Sequence, residues 1–241
     1  MIKANKLTKC YSNGEAKIAA LDNVDLCLDD GAFTVVAGRS GSGKTTLLNM
    51  IGLLDKLDAG TLTIAGQNVL QLSRTQRAVY RLWHIGFIFQ SYNLIRVLSA
   101  RENVAYVLQL RGVAAKERRR IADQWLVEVG LQGLEHRRPD ELSGGQQQRV
   151  AVARALAGTP DIILADEPTA NLDSQTGEQL MILMRQLNES HGTTFLIASH
   201  DPAVLEAGKQ LLRMEDGRIV ERVNPVPVKT KFQGDLAEKP G

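Results

Sequence analysis

Residues 142–150 read Leu142-Ser143-Gly144-Gly145-Gln146-Gln147-Gln148-Arg149-Val150, and residues 162–168 read Ile162-Ile163-Leu164-Ala165-Asp166-Glu167-Pro168. In the first stretch Ser143 is a favourable helix N-cap, and the two glycines let a helix N-terminus approach a phosphate closely. The second stretch is a short apolar run that ends in two acids, which predicts a buried strand with carboxylates at its carboxyl end. Because ligands bind at that edge of open α/β sheets, we expect Asp166 and Glu167 to lie in a binding site.

A second motif precedes these stretches. Residues 38–45 read Gly38-Arg39-Ser40-Gly41-Ser42-Gly43-Lys44-Thr45 and fit the pattern G-x-x-x-x-G-K-[ST] between a predicted strand and a predicted helix. The glycines let successive backbone N–H groups turn inward around an anion. Lys44 can then reach the β- and γ-phosphates of a nucleotide, and the Thr45 hydroxyl can ligate Mg²⁺. A glycine-rich turn with a surface lysine is the structural alternative.

Polar residues at strand ends supply candidate catalytic groups. We expect Asp166 to hold Mg²⁺ through water, and the adjacent Glu167 to polarise the attacking water. Gln90 follows the predicted strand 85–89 at the same sheet edge, where it can touch Mg²⁺ or that water. His200 follows the predicted strand 193–199, and its imidazole can donate to a γ-phosphate oxygen. Taken alone, a glutamine at a strand end is usually only polar surface, and a histidine there is more often structural. An acid pair can also simply end a strand at a turn, so the functional interpretation depends on the phosphate loop.

Bulk properties exclude several classes of function. The chain has 241 residues, of which 44% are hydrophobic and 23% charged, and its formal net charge is +2, so its composition gives no argument for a nucleic-acid partner. No apolar run approaches the ~18–20 residues of a membrane span, and the N-terminus lacks the apolar core of a signal peptide. Cys10 and Cys27 show no metal or redox spacing. We therefore expect a cytoplasmic protein that reaches a membrane only through a partner.

The order of predicted elements indicates the fold class. Strands and helices alternate along much of the chain, which favours an α/β fold with a mainly parallel sheet. Predicted strands at 2–7 and 24–28 precede the phosphate loop, and a block of helical periodicity at about 91–158 predicts a helical subdomain inserted in the sheet. Residues 1–222 are expected to form a single domain, and the polar segment 223–241, which contains Pro and Gly, a mobile C-terminal tail.

In order and approximate spacing, these motifs resemble those of the ATP-binding cassette (ABC) ATPases across residues 1–222. The resemblance implies a P-loop NTPase fold with an N-terminal antiparallel β subdomain and an inserted helical subdomain, and it implies Mg²⁺-dependent hydrolysis of ATP. It also assigns roles to single residues. Tyr11 would stack on adenine, Thr46 would extend the phosphate loop, Gln90 would be the glutamine-loop residue, Asp173 the D-loop aspartate and His200 the switch histidine. Ser143, Gly144, Gly145 and Gln146 would form the signature that contacts nucleotide.

The signature carries a prediction about assembly. The same chain already contains a complete phosphate loop, so using both motifs on one ATP requires a second subunit. The resemblance implies a head-to-tail homodimer in which each ATP lies between one subunit's phosphate loop and the other subunit's Ser143-Gly144-Gly145. ATP binding would close this dimer, and hydrolysis with product release would reopen it.

A narrower resemblance concerns the partner. Residues 85–95 (IGFIFQSYNLI), residues 102–104 (ENV) and residues 165–173 (ADEPTANLD) resemble the ATPases of lipoprotein-releasing and macrolide-exporting transporters. This implies that the chain lies at the cytoplasmic face of the inner membrane and binds a separate integral membrane permease there. Any link to a periplasmic adaptor would be indirect, and no nucleic acid would be bound. The competing hypotheses are a soluble ABC ATPase of DNA repair, chromosome organisation or translation, and a small-molecule phosphotransferase. The single cassette and the short segment between Gln90 and Ser143 favour the transporter.

Overall fold

The computed structural model describes residues 1–13 and 16–223. The tail expected at 223–241 therefore lies, from residue 224 onward, outside the described residues. The strands are β1 (Ile2–Asn13), β2 (Ala16–Leu28), β3 (Phe33–Ala37), β4 (Ala59–Ile64), β5 (Gln67–Asn68), β6 (Ile85–Phe89), β7 (Ile162–Asp166), β8 (Thr194–Ser199), β9 (Gln210–Glu215) and β10 (Arg218–Val223). The helices are α1 (Lys44–Ile51), α2 (Arg74–His84), α3 (Ala100–Leu110), α4 (Ala115–Glu128), α5 (Gly144–Leu156), α6 (Ser174–His191) and α7 (Pro202–Ala207).

A six-stranded sheet of order β10-β9-β3-β8-β7-β6 forms the centre of the fold. Strands β9, β3, β8, β7 and β6 run parallel, and β10 pairs antiparallel with β9. Successive residues of one strand enter different cores: Val35 belongs to the apolar cluster that contains α3 to α6, and Val36 to the cluster around α1. This burial on both faces explains why the inner strands β3, β7 and β8 are largely apolar runs. The predicted mainly parallel sheet is confirmed.

The second sheet is antiparallel, with the order β2-β1-β4-β5. It confirms the antiparallel element expected near the N-terminus, but β1 has 12 residues and β2 has 13, so both are longer than predicted. Register shifts interrupt the β1–β2 pairing between Ala4 and Leu7, between Leu7 and Lys9, and between Lys9 and Cys10. Because each irregularity breaks the alternation of inward and outward side chains, the sequence pattern covers only part of each strand.

Helices α3, α4 and α5 lie between β6 and β7 in the chain and pack around a shared apolar cluster that includes Val104, Leu126 and Val150. Helices α3 and α5 both begin with a capping box, in which Ser99 and Ser143 are the N-cap residues. The helical block expected at about 91–158 is therefore present as three packed helices. Within the part of the chain that the structure describes, no helix is both long and apolar enough to cross a membrane.

Candidate active site

The carboxyl ends of β3, β6, β7 and β8 surround a cavity of about 600 Å³. Its lining contains most of the sequence-predicted site: Arg39, Ser40, Gly41, Gly43, Lys44, Thr45, Thr46, Gln90, Asp166, Glu167 and His200, together with Ala20 and Ala170. Gly38 and Ser42 lie in the same loop and line an adjoining cavity with Arg39 and Ser40. Residues that are far apart in sequence meet here because parallel strands bring their carboxyl ends to one edge of the sheet.

The phosphate loop leads into helix α1 through a left-handed glycine. Gly43 has φ of 103°, and a Cβ atom there would lie 2.4 Å from the carbonyl oxygen of Ala20, so only glycine fits. Gly43 is the N-cap of α1, and within the described residues no side chain caps this helix, whereas α2 and α5 are capped by Ser73 and Ser143. The first N–H groups of α1 are therefore available to an anionic ligand.

Lys44 is folded over the loop. Its ammonium donates to the carbonyl oxygens of Gly38 at 2.7 Å and Arg39 at 3.1 Å, and it lies 3.8 Å from Oε1 of Glu167. The Lys44 side chain is only 7% exposed, so its charge is held inside the cavity. A phosphate group in the loop would thus meet a fixed positive charge.

Thr45 and Asp166 form a pair of oxygen donors. The Thr45 hydroxyl donates to Oδ1 of Asp166 at 3.1 Å. Burial raises the pKa of the Asp166 carboxyl, the Thr45 hydrogen bond opposes that rise, and the neighbouring charges of Glu167 and Lys44 act in opposite directions. Mg²⁺ is commonly held by one or two protein oxygens together with water and substrate phosphates. This hydroxyl–carboxylate pair therefore fits Mg²⁺ bound together with a nucleotide.

Glu167 is the most constrained acid of the site. Its φ is 47°, a left-handed conformation that non-glycine residues seldom adopt, and its N–H donates to the carbonyl of Ala198 at 2.9 Å. The Ser199 hydroxyl donates to Oε2 at 3.0 Å, and Nδ1 of His200 lies 2.8 Å from Oε1. The carboxylate is thus oriented by two neighbours from the end of β8.

Gln90 lies beside these acids because of strand register. Phe89 at the end of β6 pairs with Asp166 at the end of β7, so the residues that follow each strand emerge next to each other. The carbonyl of Gln90 accepts a hydrogen bond from the Asn171 amide at 2.9 Å, which joins the two loops. The Gln90 side chain lines the cavity.

The remaining predicted residues lie outside the lining of this cavity. Ser143 is exposed and caps α5: its hydroxyl accepts from the N–H of Gln146 at 3.3 Å, and Oε1 of Gln146 accepts from the N–H of Ser143 at 2.9 Å. Gly144 and Gly145 form the first turn of that helix. Asp173 caps α6 through the N–H and the hydroxyl of Thr176, at 2.9 and 2.6 Å. These hydrogen bonds lower the pKa of the Asp173 carboxyl.

Tyr11 also lies outside the lining. Its hydroxyl donates to Oδ2 of Asp55 at 3.1 Å, and Nζ of Lys9 lies 5.0 Å from the centre of its ring. Burial and the Asp55 carboxylate raise the pKa of Tyr11, while the Thr46 hydroxyl opposes the rise. The ring is 42% exposed and therefore leaves a surface open for stacking next to α1.

Sequence reasoning missed three residues that hold this site together: Ser199, Asn171 and Arg154. Ser199 positions Glu167, Asn171 holds Gln90, and Arg154 donates to the carbonyls of Tyr92 and Asn93. Each contact joins residues at least 32 positions apart, so no local pattern reports it. The only sequence signal was that Ser199 directly precedes His200.

A strand–loop–helix phosphate site after β3, with an acid pair at the end of β7 two strands away in the same parallel sheet, defines a P-loop nucleotide hydrolase. A family model described as ABC transporter matches residues 21–170. The chain belongs to the ABC transporter family and is an ATP-binding cassette that hydrolyses ATP, as the sequence motifs predicted.

Relatives and solved structures agree with this assignment. The chain is 40% identical over 219 residues to the lipoprotein-releasing system ATP-binding protein LolD of Pseudoalteromonas translucida, covering 91% of this chain and 94% of the relative. It is 45% identical over 210 residues to the macrolide export ATP-binding/permease protein MacB of Chromobacterium violaceum, covering 87% of this chain but only 32% of the relative. A dimeric post-hydrolysis state of the ATP-binding cassette MJ0796 bound to ADP and Pi matches with a TM-score of 0.86 and 42% identity, covering 93% of this chain and 98% of that one.

Proposed function

We propose that two copies of this chain form a head-to-tail homodimer that hydrolyses Mg²⁺-bound ATP and drives a separate integral membrane permease. One observation carries the proposal. The cavity gathers the phosphate loop, Asp166 and Glu167, whereas exposed Ser143 and the uncharged first turn of α5 lie outside its lining. A helix N-terminus of this kind is suited to a phosphate. It therefore supplies half of a site that a second copy completes.

Roles follow from the geometry of the cavity. The N–H groups at the start of α1 and the Lys44 ammonium would bind the β- and γ-phosphates, and Thr45, Asp166 and Gln90 would hold Mg²⁺. When bound, Mg²⁺ neutralises charge on the phosphate oxygens. Glu167 would take a proton from the attacking water. Because Nδ1 of His200 faces the Glu167 carboxylate, which can only accept, Nε2 would donate to the γ-phosphate when both ring nitrogens carry a proton.

The outlying residues complete the dimer site in this proposal. Tyr11 would stack on adenine. Ser143, Gly144, Gly145 and Gln146 would contact the γ-phosphate bound to the partner subunit. Asp173, which already orders the start of α6, would lie near the interface between the copies. Residues 1–222 would act as one cassette with the helical block at about 91–158 inserted, at the cytoplasmic face of the membrane.

An apolar surface supports a membrane partner. Val79 and Trp83 on α2 are 52% and 48% exposed, and Tyr106 and Leu110 on α3 are 39% and 56% exposed. Arg111 joins the ends of these helices, since its guanidinium lies 4.7 Å from the centre of the Trp83 ring and donates to the Trp83 carbonyl at 3.0 Å. Contiguous exposed apolar patches mark interaction sites, and the Arg111 contacts bring the ends of α2 and α3 together. The names of the relatives LolD and MacB support lipoprotein release or export as the work done, with any periplasmic adaptor reached only through the permease.

A mixing experiment tests the shared site. Lys44→Ala damages the phosphate loop and Ser143→Arg damages the signature, so neither variant alone should hydrolyse ATP. Mixed dimers contain one site built from the two undamaged halves. With random pairing of equal amounts, we expect roughly a quarter of the wild-type rate. A mixture as inactive as its components would overturn the shared site.

Purification from membranes tests the permease. The tagged chain, expressed in its native host, should retain an integral membrane protein after detergent solubilisation. Trp83→Glu combined with Leu110→Glu should release that protein, whereas Val220→Glu, at a position 51% exposed on β10, should not. Stable association with ribosomes or DNA instead would favour the soluble class of ABC ATPase.

A further inference from the structure

The backbone that follows Gln90 is held in an uncommon conformation. Tyr92 and Asn93 have φ values of 60° and 48°, so two consecutive non-glycine residues are left-handed. Asparagine tolerates this region, but a bulky tyrosine rarely adopts it. Such a conformation persists only when surrounding contacts fix it.

Arg154 supplies the fixing contacts. Its Nη1 donates to the carbonyl of Asn93 at 2.6 Å, and its Nη2 donates to the carbonyl of Tyr92 at 2.9 Å. The planar guanidinium fork suits two adjacent carbonyls, and no other side chain offers that geometry. Arg154 is half-buried, and desolvation lowers the pKa of its guanidinium.

Arg154 lies on α5, the helix that begins with the signature. The same helix touches residues 89–93, the Gln90 loop, at two further points. Nε2 of Gln148 reaches the carbonyl of Phe89 at 3.4 Å and that of Pro168, next to Glu167, at 2.8 Å. At the first turn, a Cβ atom on Gly144 would lie 2.8 Å from the Tyr92 hydroxyl. Residues 89–93 are thus contacted from three positions on α5: Gly144, Gln148 and Arg154.

We propose that Arg154 is a positioning residue that fastens the Gln90 loop to α5, so that Gln90 moves with the signature of its own subunit. The inference rests on the proposed dimer and on the proposed contact of Gln90 with Mg²⁺ or the attacking water. Within that scheme, docking of Ser143–Gly145 on the partner's ATP sets the position of Gln90 in the subunit's own site. Arg154 then affects turnover only through Gln90.

A double-mutant cycle on the full chain tests this dependence. Gln90→Ala and Arg154→Met should each lower kcat about tenfold, and the double variant should also lower it about tenfold rather than a hundredfold. The KM for ATP should stay within about twofold, because the phosphate loop is untouched. Arg154→Lys keeps the charge but not the fork, so it should lower kcat less than Arg154→Met does. In the Gln90→Ala background, Arg154→Lys should cause no further loss of kcat.

Arg149 provides a matched control on the same helix. Its Nη1 donates to the carbonyl of Val129 at 2.9 Å, away from the Gln90 loop. Arg149→Met should therefore combine additively with Gln90→Ala. Additive effects of Arg154→Met and Gln90→Ala would overturn the proposal while leaving the dimer mechanism intact. An unchanged kcat in Gln90→Ala alone would instead remove Gln90 from the mechanism and this inference with it. If Arg154→Met does not fold, the cycle with Arg154→Lys decides.

Discussion

Glu167 and His200 are paired across the end of the central sheet, with Nδ1 of His200 2.8 Å from Oε1 of Glu167. The other oxygen of the same carboxylate accepts from the Ser199 hydroxyl at 3.0 Å. Glu167 is 17% exposed and His200 is 68% exposed, so the acid is held inside the cavity while the imidazole faces its mouth. In the proposed mechanism this arrangement would separate two tasks: Glu167 would act on the attacking water, and His200 would remain accessible to an incoming phosphate.

Glu167→Gln should abolish most turnover and retain ATP binding. The amide keeps the size of the side chain and can still accept from Ser199, but it cannot take a proton from water. We expect kcat to fall by about 10²- to 10⁴-fold, the usual contribution of a general base. Steady-state ATPase assays and size-exclusion chromatography with ATP check this, since ATP-bound dimers should accumulate. Near-normal turnover would remove Glu167 from the role of base.

Asp166→Asn should stabilise the nucleotide-free protein at neutral pH while removing activity. Burial raises the pKa of Asp166 above its ordinary value of 3.8, so the folded protein binds that proton more tightly than the unfolded chain does. The stabilisation that protonated Asp166 contributes is therefore fully present below pH 3.8. It is lost as the pH rises through the pKa that Asp166 has in the folded protein. Removing the buried charge should raise the thermal midpoint at pH 7 by about 2–4 °C for each kcal/mol by which the free energy of unfolding increases.

The pH dependence distinguishes this effect from better packing. The advantage of Asp166→Asn should shrink as the pH falls toward the range in which Asp166 itself becomes protonated. Thermal melts of both proteins, from pH 8 down to the lowest pH at which both remain folded, measure it. An advantage that is constant with pH would show that desolvation of Asp166 is not its cause.

How far the sequence predicts this site depends on the range of the contacts. Strand β6 has the predicted bounds, 85–89, because it is a short apolar run followed by a polar residue, Gln90. The carboxyl ends of β6, β7 and β8 place Gln90, Asp166 and His200 at one edge of the sheet, so the cavity could be predicted from parallel topology alone.

What the sequence could not predict depends on tertiary structure. The left-handed backbone of Glu167 and the Arg154 fork arise from packing between elements distant in the chain. Strand β10 was missed because it is an edge strand with five exposed residues of six, which leaves no apolar periodicity. The Asp173 side chain, predicted only as a nucleotide-site residue, caps α6, a local role that the Asp–Ser–Gln–Thr order at a helix start could have indicated.

Thr45→Val should raise the Mg²⁺ concentration needed for half-maximal hydrolysis. The substitution removes the hydroxyl that donates to Asp166 at 3.1 Å and keeps the shape of the side chain. ATP binding in EDTA should stay within about twofold of wild type, because the backbone N–H groups and Lys44 remain. Titration of MgCl₂ in the ATPase assay measures the shift, with Thr46→Val as the matched control. An equal shift in both variants would remove Thr45 from the metal site.

Ser143→Arg should prevent ATP from closing the dimer, and Ser143→Ala separates this effect from loss of the helix cap. Both variants lose the hydroxyl that accepts from the Gln146 N–H, which costs about 1 kcal/mol of stability. Only arginine adds bulk and charge at the exposed start of α5, where the partner's ATP would bind. Sedimentation of both variants in the Glu167→Gln background with ATP should therefore show dimers for Ser143→Ala and monomers for Ser143→Arg. If Ser143→Arg still formed ATP-dependent dimers and hydrolysed ATP cooperatively, the signature could not face the partner's nucleotide.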